Sequence, residues 1–207
     1  MPPNRYYIDN KRVPGVTTVL KQWGSSSETL FNWGVDLALS GTDPRKVRDR
    51  AAKIGTTVHL LLGSYLSGSI PKRFTSKEAR TAYGAWKKWY TLNRVQMFCS
   101  EQSIVSTQFR FGGTLDLVVY SGLGLGLIDI KTSGQLYDTH RVQVSAYNHL
   151  WKENFPDRGP FESVLLLRLD KESGDFEEEY LTTKTLEYGW EAFLACLKLY
   201  QLQKDLK

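Results

Sequence analysis

Two carboxylates and a lysine occupy neighbouring segments that are both predicted to be β-strands. Residues 108–120 and 124–132 are rich in Val, Ile, Leu, Phe and Thr, and a glycine-rich stretch joins them. Because side chains alternate along a strand, Asp129 and Lys131 project from one face of the second segment. Pairing of the two strands as a hairpin would bring Asp116 beside Asp129. Two carboxylates at that separation repel each other unless a cation lies between them.

This arrangement of charges suits the hydrolysis of a phosphodiester. Clustered carboxylate oxygens are the ligands that Mg²⁺ and Mn²⁺ prefer. A cation held by Asp116 and Asp129 would polarise the phosphate and acidify a water, while the Lys131 ammonium orients that water or offsets developing charge. The alternative is a surface hairpin in which aspartate and lysine form an ordinary ion pair, worth about 0–1 kcal/mol.

A helix predicted to follow the hairpin adds an amide and a phenol to these charges. Thr139 is in position to cap a helix that ends near Glu153. Gln143 and Tyr147 lie four residues apart in this helix, so their side chains face the same way. These polar groups, placed directly after the charged strands, favour a site over a surface ion pair.

The order and spacing of these residues resemble the RecB-like branch of the PD-(D/E)XK nuclease superfamily. The resemblance begins at His59, in the segment 55–59, and ends at Tyr147, which is just under half of the chain. Its matching positions are Glu101, residues 113–116, residues 129–133, Gln143 and Tyr147. The ordered set is far more specific than any one of its parts. One position departs from many relatives, which carry an acidic residue where this chain has Gly63.

The resemblance also implies a role for each residue. The expected ligands of one or two Mg²⁺ or Mn²⁺ ions are His59, Asp116, Asp129 and the carbonyl oxygen of Ile130. Glu101 is expected to support these ligands or to bind a second ion. Lys131 would assist the attacking water, and the other expected catalytic residues are Asp116, Asp129, Glu101 and Gln143. The expected substrate contacts come from Tyr147, Gln143, Thr132, Ser133 and Arg141.

The resemblance further implies an α/β fold in a single domain over residues 1–207. The expected core is the PD-(D/E)XK restriction-endonuclease-like core, a mixed central β-sheet flanked by helices, with a helical N-terminal portion before it. The predicted divisions are an N-terminal hairpin and helical wall at 1–50, a catalytic core at 51–182 and a C-terminal helix at 183–207.

Composition is consistent with a polyanionic partner such as DNA. The 207 residues carry a net charge of +5, and phosphate contacts would make binding dependent on salt. A hydrophobic content of 41% places the chain among ordinary globular proteins rather than disordered or membrane classes. The two cysteines, Cys99 and Cys196, are too few for a four-cysteine iron–sulfur cluster, so none is expected. No signal peptide, transit peptide or membrane span is seen, which predicts a cytoplasmic protein.

Three predicted helices upstream carry aromatic or basic residues. A helix at 28–39 is expected to wall the site, where Trp23 or Trp33 would stack on an unpaired base, although core packing is favoured for most of its aromatics. A helix at 44–66 begins with four basic residues, interpreted as a solvated face or, alternatively, as a partner-binding one. A helix at 76–95 mixes aromatic and basic residues, and packing of the aromatics on the sheet is favoured over nucleic-acid contact.

The remaining segments predict structural elements. Gly112 and Gly113 interrupt a good strand pattern, which predicts a bulge or a close approach of the backbone. Segments 161–170 and 175–182 are predicted to form a second hairpin, and an amphipathic helix is predicted over 185–206.

The expected function is metal-dependent hydrolysis of DNA by an exonuclease that prefers single-stranded ends, in recombination, repair or replication. Small single-domain proteins of the RecB-like branch are commonly exonucleases. Two alternatives remain open, a structure-specific or sequence-specific endonuclease on the same fold and a catalytically silent DNA-binding module. A silent module has no reason to keep Asp116, Asp129 and Lys131 together, and a purely structural metal site has no reason to include the lysine.

Overall fold

The computed structural model describes residues 5–24, 27–69, 74 and 76–206, with the backbone alone for residues 27–30. Residues 1–4 lie outside this range, and the prediction of no signal peptide falls partly on them. Among the described residues, no helix is both long and apolar enough to cross a membrane.

Groups of strands and groups of helices follow one another along the chain. In chain order they are β1 (Tyr6–Ile8), β2 (Lys11–Val13), α1 (Val16–Val19), α2 (Ser27–Leu39), α3 (Pro44–Leu66), α4 (Lys77–Asn93), β3 (Gln96–Ser106), β4 (Phe111–Ser121), β5 (Gly124–Lys131), α5 (Asp138–Asn154), β6 (Ser163–Leu169), β7 (Phe176–Tyr180) and α6 (Thr183–Asp205). Short 3₁₀ turns follow α1 and α5.

The five later strands form one mixed sheet in the order β3-β4-β5-β6-β7. Neighbouring strands are antiparallel except for β5 and β6, which run parallel because α5 carries the chain back between them. The β4–β5 ladder ends at the pair of Leu117 and Ile128, and Asp116 and Asp129 are the next residues of the two strands. The predicted hairpin is confirmed.

Helices cover both faces of this sheet, as predicted. On one face, apolar residues such as Val118 and Leu127 pack against α5 and α6. On the other face, Ile128 and Ile130 pack against α3 and α4. This alternation puts the isoleucines of β5 and its two charged residues on opposite sides, as the sequence predicts. The mixed sheet, the flanking helices and the helical N-terminal portion are therefore confirmed, while the division of the chain into segments of one domain stays a prediction.

The upstream aromatic residues divide between the core and the surface. Tyr83, Trp86 and Trp89 of α4 are buried against the sheet, which confirms the packing interpretation of that helix. Trp23 packs on the edge of the other core. By contrast, Phe31 and Trp33 of α2 are 69% and 38% exposed, so the core packing favoured for the aromatic residues of that helix is wrong.

Several predicted boundaries are wrong, for local reasons. The strand predicted from residue 108 begins at Phe111, because Ser106 Oγ accepts a hydrogen bond from Phe109 N and closes a turn there. Thr139 does not cap α5, which begins at Asp138 with Tyr137 in the N-cap position. The Tyr137 N–H donates instead to Nδ1 of His140 at 3.2 Å, so an imidazole closes the helix start. The remaining ends agree within about two or three residues, an ordinary uncertainty for helix and strand ends.

The two glycines of β4 allow close approach and do not form a bulge. The register of β3 and β4 continues across both, and its irregularity lies instead between Met97 and Cys99. A Cβ on Gly112 would fall 2.3 Å from the Tyr6 ring, and one on Gly113 would fall 2.7 Å from the Tyr147 ring. Of the two predicted explanations, close approach is confirmed and a bulge is wrong.

Candidate active site

The carboxylate of Asp116 is held against the neighbouring strand. Its Oδ2 accepts a hydrogen bond from Ile130 N at 2.8 Å, across the β4–β5 pair. Its side chain is 14% exposed, and Oδ1 takes no part in that hydrogen bond. The strand pairing thus fixes one oxygen of Asp116 and leaves the other for a ligand.

Three donor groups from separate elements meet at this free oxygen. His59 Nδ1 of α3 lies 3.5 Å from Asp116 Oδ1 and 3.6 Å from Glu101 Oε1 of β3. One donor atom from each of the three residues falls within 4.8 Å of the others. The small cavity at their meeting point is also lined by Gly63 and Ile130. Where the resemblance expects an acidic residue, Gly63 leaves open space, since nothing lies within 4 Å of its missing Cβ.

Glu101 reaches this group through an unusual backbone conformation. Its φ is +51°, in the left-handed region that residues with a side chain seldom adopt within a strand. Its neighbours still pair in register, Ser100 with Leu117 and Gln102 with Leu115. Such conformations cost about 1–3 kcal/mol and cluster at functional sites. Glu101, which supplies the third donor, has a backbone conformation of this kind.

Electrostatics at His59 are set by the two carboxylates. The Asp116 carboxylate, with help from Glu101 and against the effect of burial, raises the pKa of His59 to about 9. Without a metal the imidazole is therefore protonated at neutral pH, and its charge offsets the adjacent carboxylates. A bound cation would take over that charge and release the proton, since imidazole binds metals in its neutral form.

Asp129 is the most deeply buried charged residue of the site. Its side chain is fully buried, and Oδ2 lies 2.6 Å from Nζ of Lys131. Burial raises the pKa of Asp129 above its usual range, while the Lys131 ammonium opposes that rise. Its Oδ1 has no hydrogen-bond partner among the described residues. A buried carboxylate oxygen without a partner is costly and is a natural ligand for a cation.

Lys131 is held by a chain of hydrogen bonds that begins on α5. Its Nζ donates to Oε1 of Gln143 at 3.1 Å, and Nε2 of Gln143 donates to the Tyr147 hydroxyl at 2.8 Å. Tyr147 is buried, and burial raises the pKa of its phenol well above 10, so the hydroxyl stays neutral. The ammonium is therefore fixed between Asp129 and Gln143 rather than free to rotate.

The other predicted substrate contacts are Thr132, Ser133 and Arg141. Thr132 directly follows Lys131, and its carbonyl accepts a hydrogen bond from Lys171 Nζ at 2.8 Å. The Ser133 hydroxyl donates to the carbonyl of Gln135, in the turn before α5. Arg141 is engaged elsewhere, because its guanidinium binds both oxygens of Glu179 at 2.6 and 2.7 Å and Oδ1 of Asp138 at 2.9 Å. The structure does not place Arg141 within the donor group.

Three supporting residues were not predicted from the sequence. Tyr6 and Ser103 both hydrogen-bond to the hydroxyl of Thr114, two residues before Asp116, at 2.9 and 2.8 Å. His140 lies near Lys131, and burial followed by the charges of Lys131 and Arg141 lowers its pKa to about 3. Tyr6 is far from Thr114 in the chain, so spacing alone gives no signal for it. A histidine close to a predicted helix start was the available signal for His140.

The donor set fits a hard divalent cation. Two carboxylates and one imidazole converge at the small cavity. A third carboxylate, on Asp129, interacts electrostatically with Asp116 and His59, and its buried Oδ1 has no hydrogen-bond partner among the described residues. Mg²⁺ prefers oxygen ligands, and Mn²⁺ also accepts imidazole. The predicted metal-site residues, His59, Asp116, Asp129 and Ile130, therefore lie in one region. Glu101 joins the donors there, and Asp129 pairs with Lys131.

No protein-family model and no curated protein matches the sequence. Among solved structures, the chain is similar to a putative exonuclease from Eubacterium rectale, with 15% identity over 69% of this chain and a TM-score of 0.45. It spans 63% of the length of that structure. An alkaline exonuclease from Laribacter hongkongensis is 15% identical over 75% of this chain and 86% of its own, with a TM-score of 0.38. The complex of that enzyme with dAMP gives 14% identity, coverage of 94% and 93%, and a TM-score of 0.40.

Proposed function

We propose that this chain is a metal-dependent deoxyribonuclease of the RecB-like PD-(D/E)XK type that acts as an exonuclease. The observation that carries the proposal is the meeting of two chemical groups in one place. A donor set of His59, Glu101 and Asp116 lies beside a lysine whose ammonium is fixed by Asp129 and Gln143. Neither group alone would distinguish a nuclease from a binding site or an ion pair.

The donor residues would hold one or two Mg²⁺ or Mn²⁺ ions. His59, Glu101 and Asp116 would supply ligands directly, and Asp129 with the Ile130 carbonyl would complete the set. When bound, such an ion polarises the scissile phosphate and lowers the pKa of a water. The hydrogen bond from Ile130 N keeps Asp116 in place, so one carboxylate oxygen stays directed at the ligand side.

Lys131 would orient the attacking water and offset charge that develops on the phosphate. Its position is preset, because Gln143 accepts from its ammonium and is itself held by Tyr147. Donors fixed before the reaction need no reorganisation in the transition state, which is the main source of electrostatic catalysis. Tyr147 would thereby act through Gln143 and would also border the substrate backbone.

The proposed substrate is DNA, preferentially a single-stranded end, in recombination, repair or replication. A net charge of +5 favours a polyanion. Thr132 and Ser133 follow Lys131 directly and are the proposed contacts to the substrate on that side. Arg141 would contact a phosphate only by exchanging one of its carboxylate partners, Glu179 or Asp138.

Cleavage of linear and circular single-stranded DNA in Mg²⁺, Mn²⁺ or EDTA tests the proposal. We expect digestion of the linear strand alone, abolished by EDTA and by Lys131→Ala. The exposed Lys198→Ala variant is the matched control, because it removes the same charge far from the donors along the chain. Cutting of the circle would replace the exonuclease by an endonuclease. Binding without any cutting would favour a silent DNA-binding module and overturn the catalytic proposal.

A further inference from the structure

Helix α3 joins the candidate site to an exposed basic segment. The helix runs from Pro44 to Leu66, and His59 lies in its second half. Its first half is outside the core, since every residue from Arg45 to Lys53 is exposed or only partly buried. The segment carries five of the 27 lysines and arginines of the chain, which is a dense local charge.

Two of these cations share a face of the helix with His59. At 3.6 residues per turn, Arg45 and Arg48 fall within about 40° of His59 around the helix axis. Lys46 and Lys53 fall about 120–140° away, on the outer side. Arg50 is on the opposite side and pairs with Glu78 of α4. We call the face that carries Arg45 and Arg48 the arginine face.

The arginine face is exposed at Arg45, Arg48 and Ala52 and partly exposed at Gly55 and His59. Ala52 and Gly55 separate the two arginines from His59, so no large side chain of α3 stands between them. The first atom that a Cβ on Gly55 would meet is the Thr132 hydroxyl, at 3.4 Å, which places this part of the face beside the proposed substrate contacts.

The two arginines are available to a ligand. Arg45 forms no ion pair among the described residues. Arg48 pairs with its neighbour Asp49 at 2.8 Å, but both side chains are 68% exposed. An exposed pair of this kind contributes little in water and exchanges readily for a phosphate.

We propose that the arginine face binds the sugar–phosphate backbone of the nucleic-acid strand whose end lies at the candidate site. The inference rests on the proposed function and adds the path of the substrate. Along the helix axis, Arg48 lies about 16 Å and Arg45 about 21 Å from His59. At about 3.4 Å per nucleotide of a stacked strand, they reach phosphates roughly five to six nucleotides from the scissile bond.

Binding measurements in EDTA, which prevents cleavage, test this path. The probe is a fluorescein-labelled oligo(dT) of about 20 nucleotides, longer than the site of a typical single-strand binding domain. The test variant is the double substitution Arg45→Ala and Arg48→Ala. The matched control is Lys46→Ala with Lys53→Ala, which removes the same charge from the same helix on another face. A thermal melt of each variant establishes that it is folded.

We expect the arginine variant to weaken binding by at least about tenfold at low salt. Its log Kd against log salt slope should fall by about 1.4, because each lost phosphate contact removes about 0.7. The lysine control should change Kd by less than about twofold. An oligo(dT) of about four nucleotides, too short to reach the face, should compete equally well for wild type and the arginine variant.

Three results would overturn the inference. Equal losses in both double variants would mean that the helix acts only through its overall charge. If the arginine variant has an unchanged Kd while wild-type protein binds and cleaves DNA, the arginine face does not bind the strand. The proposed function is then unaffected. Wild-type protein that neither binds nor cleaves DNA would contradict both the proposed function and this inference.

Discussion

Lys131 Nζ lies 2.6 Å from Oδ2 of Asp129, whose side chain is completely buried. A buried carboxylate is costly in free energy, and this ammonium is the cation that the described residues place against it. The pair therefore has two consequences that differ. It stabilises the fold around β5, and it fixes an ammonium at the position from which it would act on a water.

Separating these two consequences is the first prediction. Lys131→Met should lower cleavage by about 10²–10³-fold, the loss seen when one preorganised electrostatic donor is removed. It should also lower the free energy of unfolding by about 3 kcal/mol or less, because Asp129 loses its partner and takes up a proton instead. Adding Asp129→Asn should restore most of the stability without restoring cleavage. Urea unfolding and single-turnover cleavage measure the two effects. If the double variant regains both stability and cleavage, Lys131 has no catalytic role.

The second prediction concerns the metal. His59→Ala should raise the Mg²⁺ or Mn²⁺ concentration for half-maximal cleavage by at least about tenfold, since substitutions near metal sites commonly cost 10–100-fold. DNA affinity in EDTA should change much less. His149→Gln is the matched control, because His149 stacks on Trp190 and is outside the donor group. An unchanged metal titration for His59→Ala would return this histidine to a structural role.

Tyr147→Phe supplies the third prediction. The substitution keeps the ring that packs on Gly113 and removes the hydroxyl to which Gln143 Nε2 donates. A buried amide donor left without a partner costs about 1–3 kcal/mol, so the melting temperature should fall. Cleavage should fall by about tenfold, because Gln143 no longer holds the lysine in one geometry. Wild-type kinetics with a lowered melting temperature would mean that Tyr147 contributes to packing and not to the position of Lys131.

The β4–β5 hairpin and its charges were predictable because a strand has a simple period. Alternation alone separates Asp129 and Lys131 from the isoleucines between and beside them, and the glycine-rich stretch marks the turn. The helical spacing of Gln143 and Tyr147 is equally local. The structure shows the alternation, the turn and the spacing of Gln143 and Tyr147 as predicted.

Contacts between distant segments could not be predicted in the same way. The approach of Glu101 to His59 depends on a positive φ within β3, which no pattern of side chains encodes. Arg141 was predicted to contact substrate, but it meets Glu179, a residue of β7 on the far side of the parallel crossover. The start of α5 differs from the prediction because the His140 imidazole accepts the hydrogen bond from Tyr137 N, and histidine is an uncommon capping residue.

The fourth prediction compares two glycines. A Cβ on Gly113 would lie 2.7 Å from the Tyr147 ring and 2.8 Å from Leu150 Cδ1, so Gly113→Ala should cost about 1–3 kcal/mol through overpacking. Gly84, within α4, has nothing within 4 Å of its missing Cβ, and Gly84→Ala should stabilise by about 0.5–1 kcal/mol. Urea unfolding of the two variants checks both signs. A neutral Gly113→Ala would contradict the close approach of α5 to β4.

The last prediction is a dependence of stability on pH. Burial and the charges of Lys131 and Arg141 lower the pKa of His140 to about 3, against about 6.5 in the unfolded chain. Between those values the unfolded state binds the additional proton, so acidification through this window destabilises the fold. Protonation of Nδ1 also removes the acceptor for Tyr137 N, which caps α5.

His140→Gln should flatten this dependence, because glutamine keeps a hydrogen-bond acceptor and does not titrate. The difference in unfolding free energy between pH 7 and pH 4 should shrink by about 1–3 kcal/mol, because the full pKa displacement is worth about 3 kcal/mol over this range and solvent screens part of it. The comparison is made between variant and wild type, since other groups such as His149, whose pKa is also lowered by burial, titrate equally in both. Parallel pH profiles would mean that His140 is not held neutral by its surroundings, and that the start of α5 does not depend on its charge.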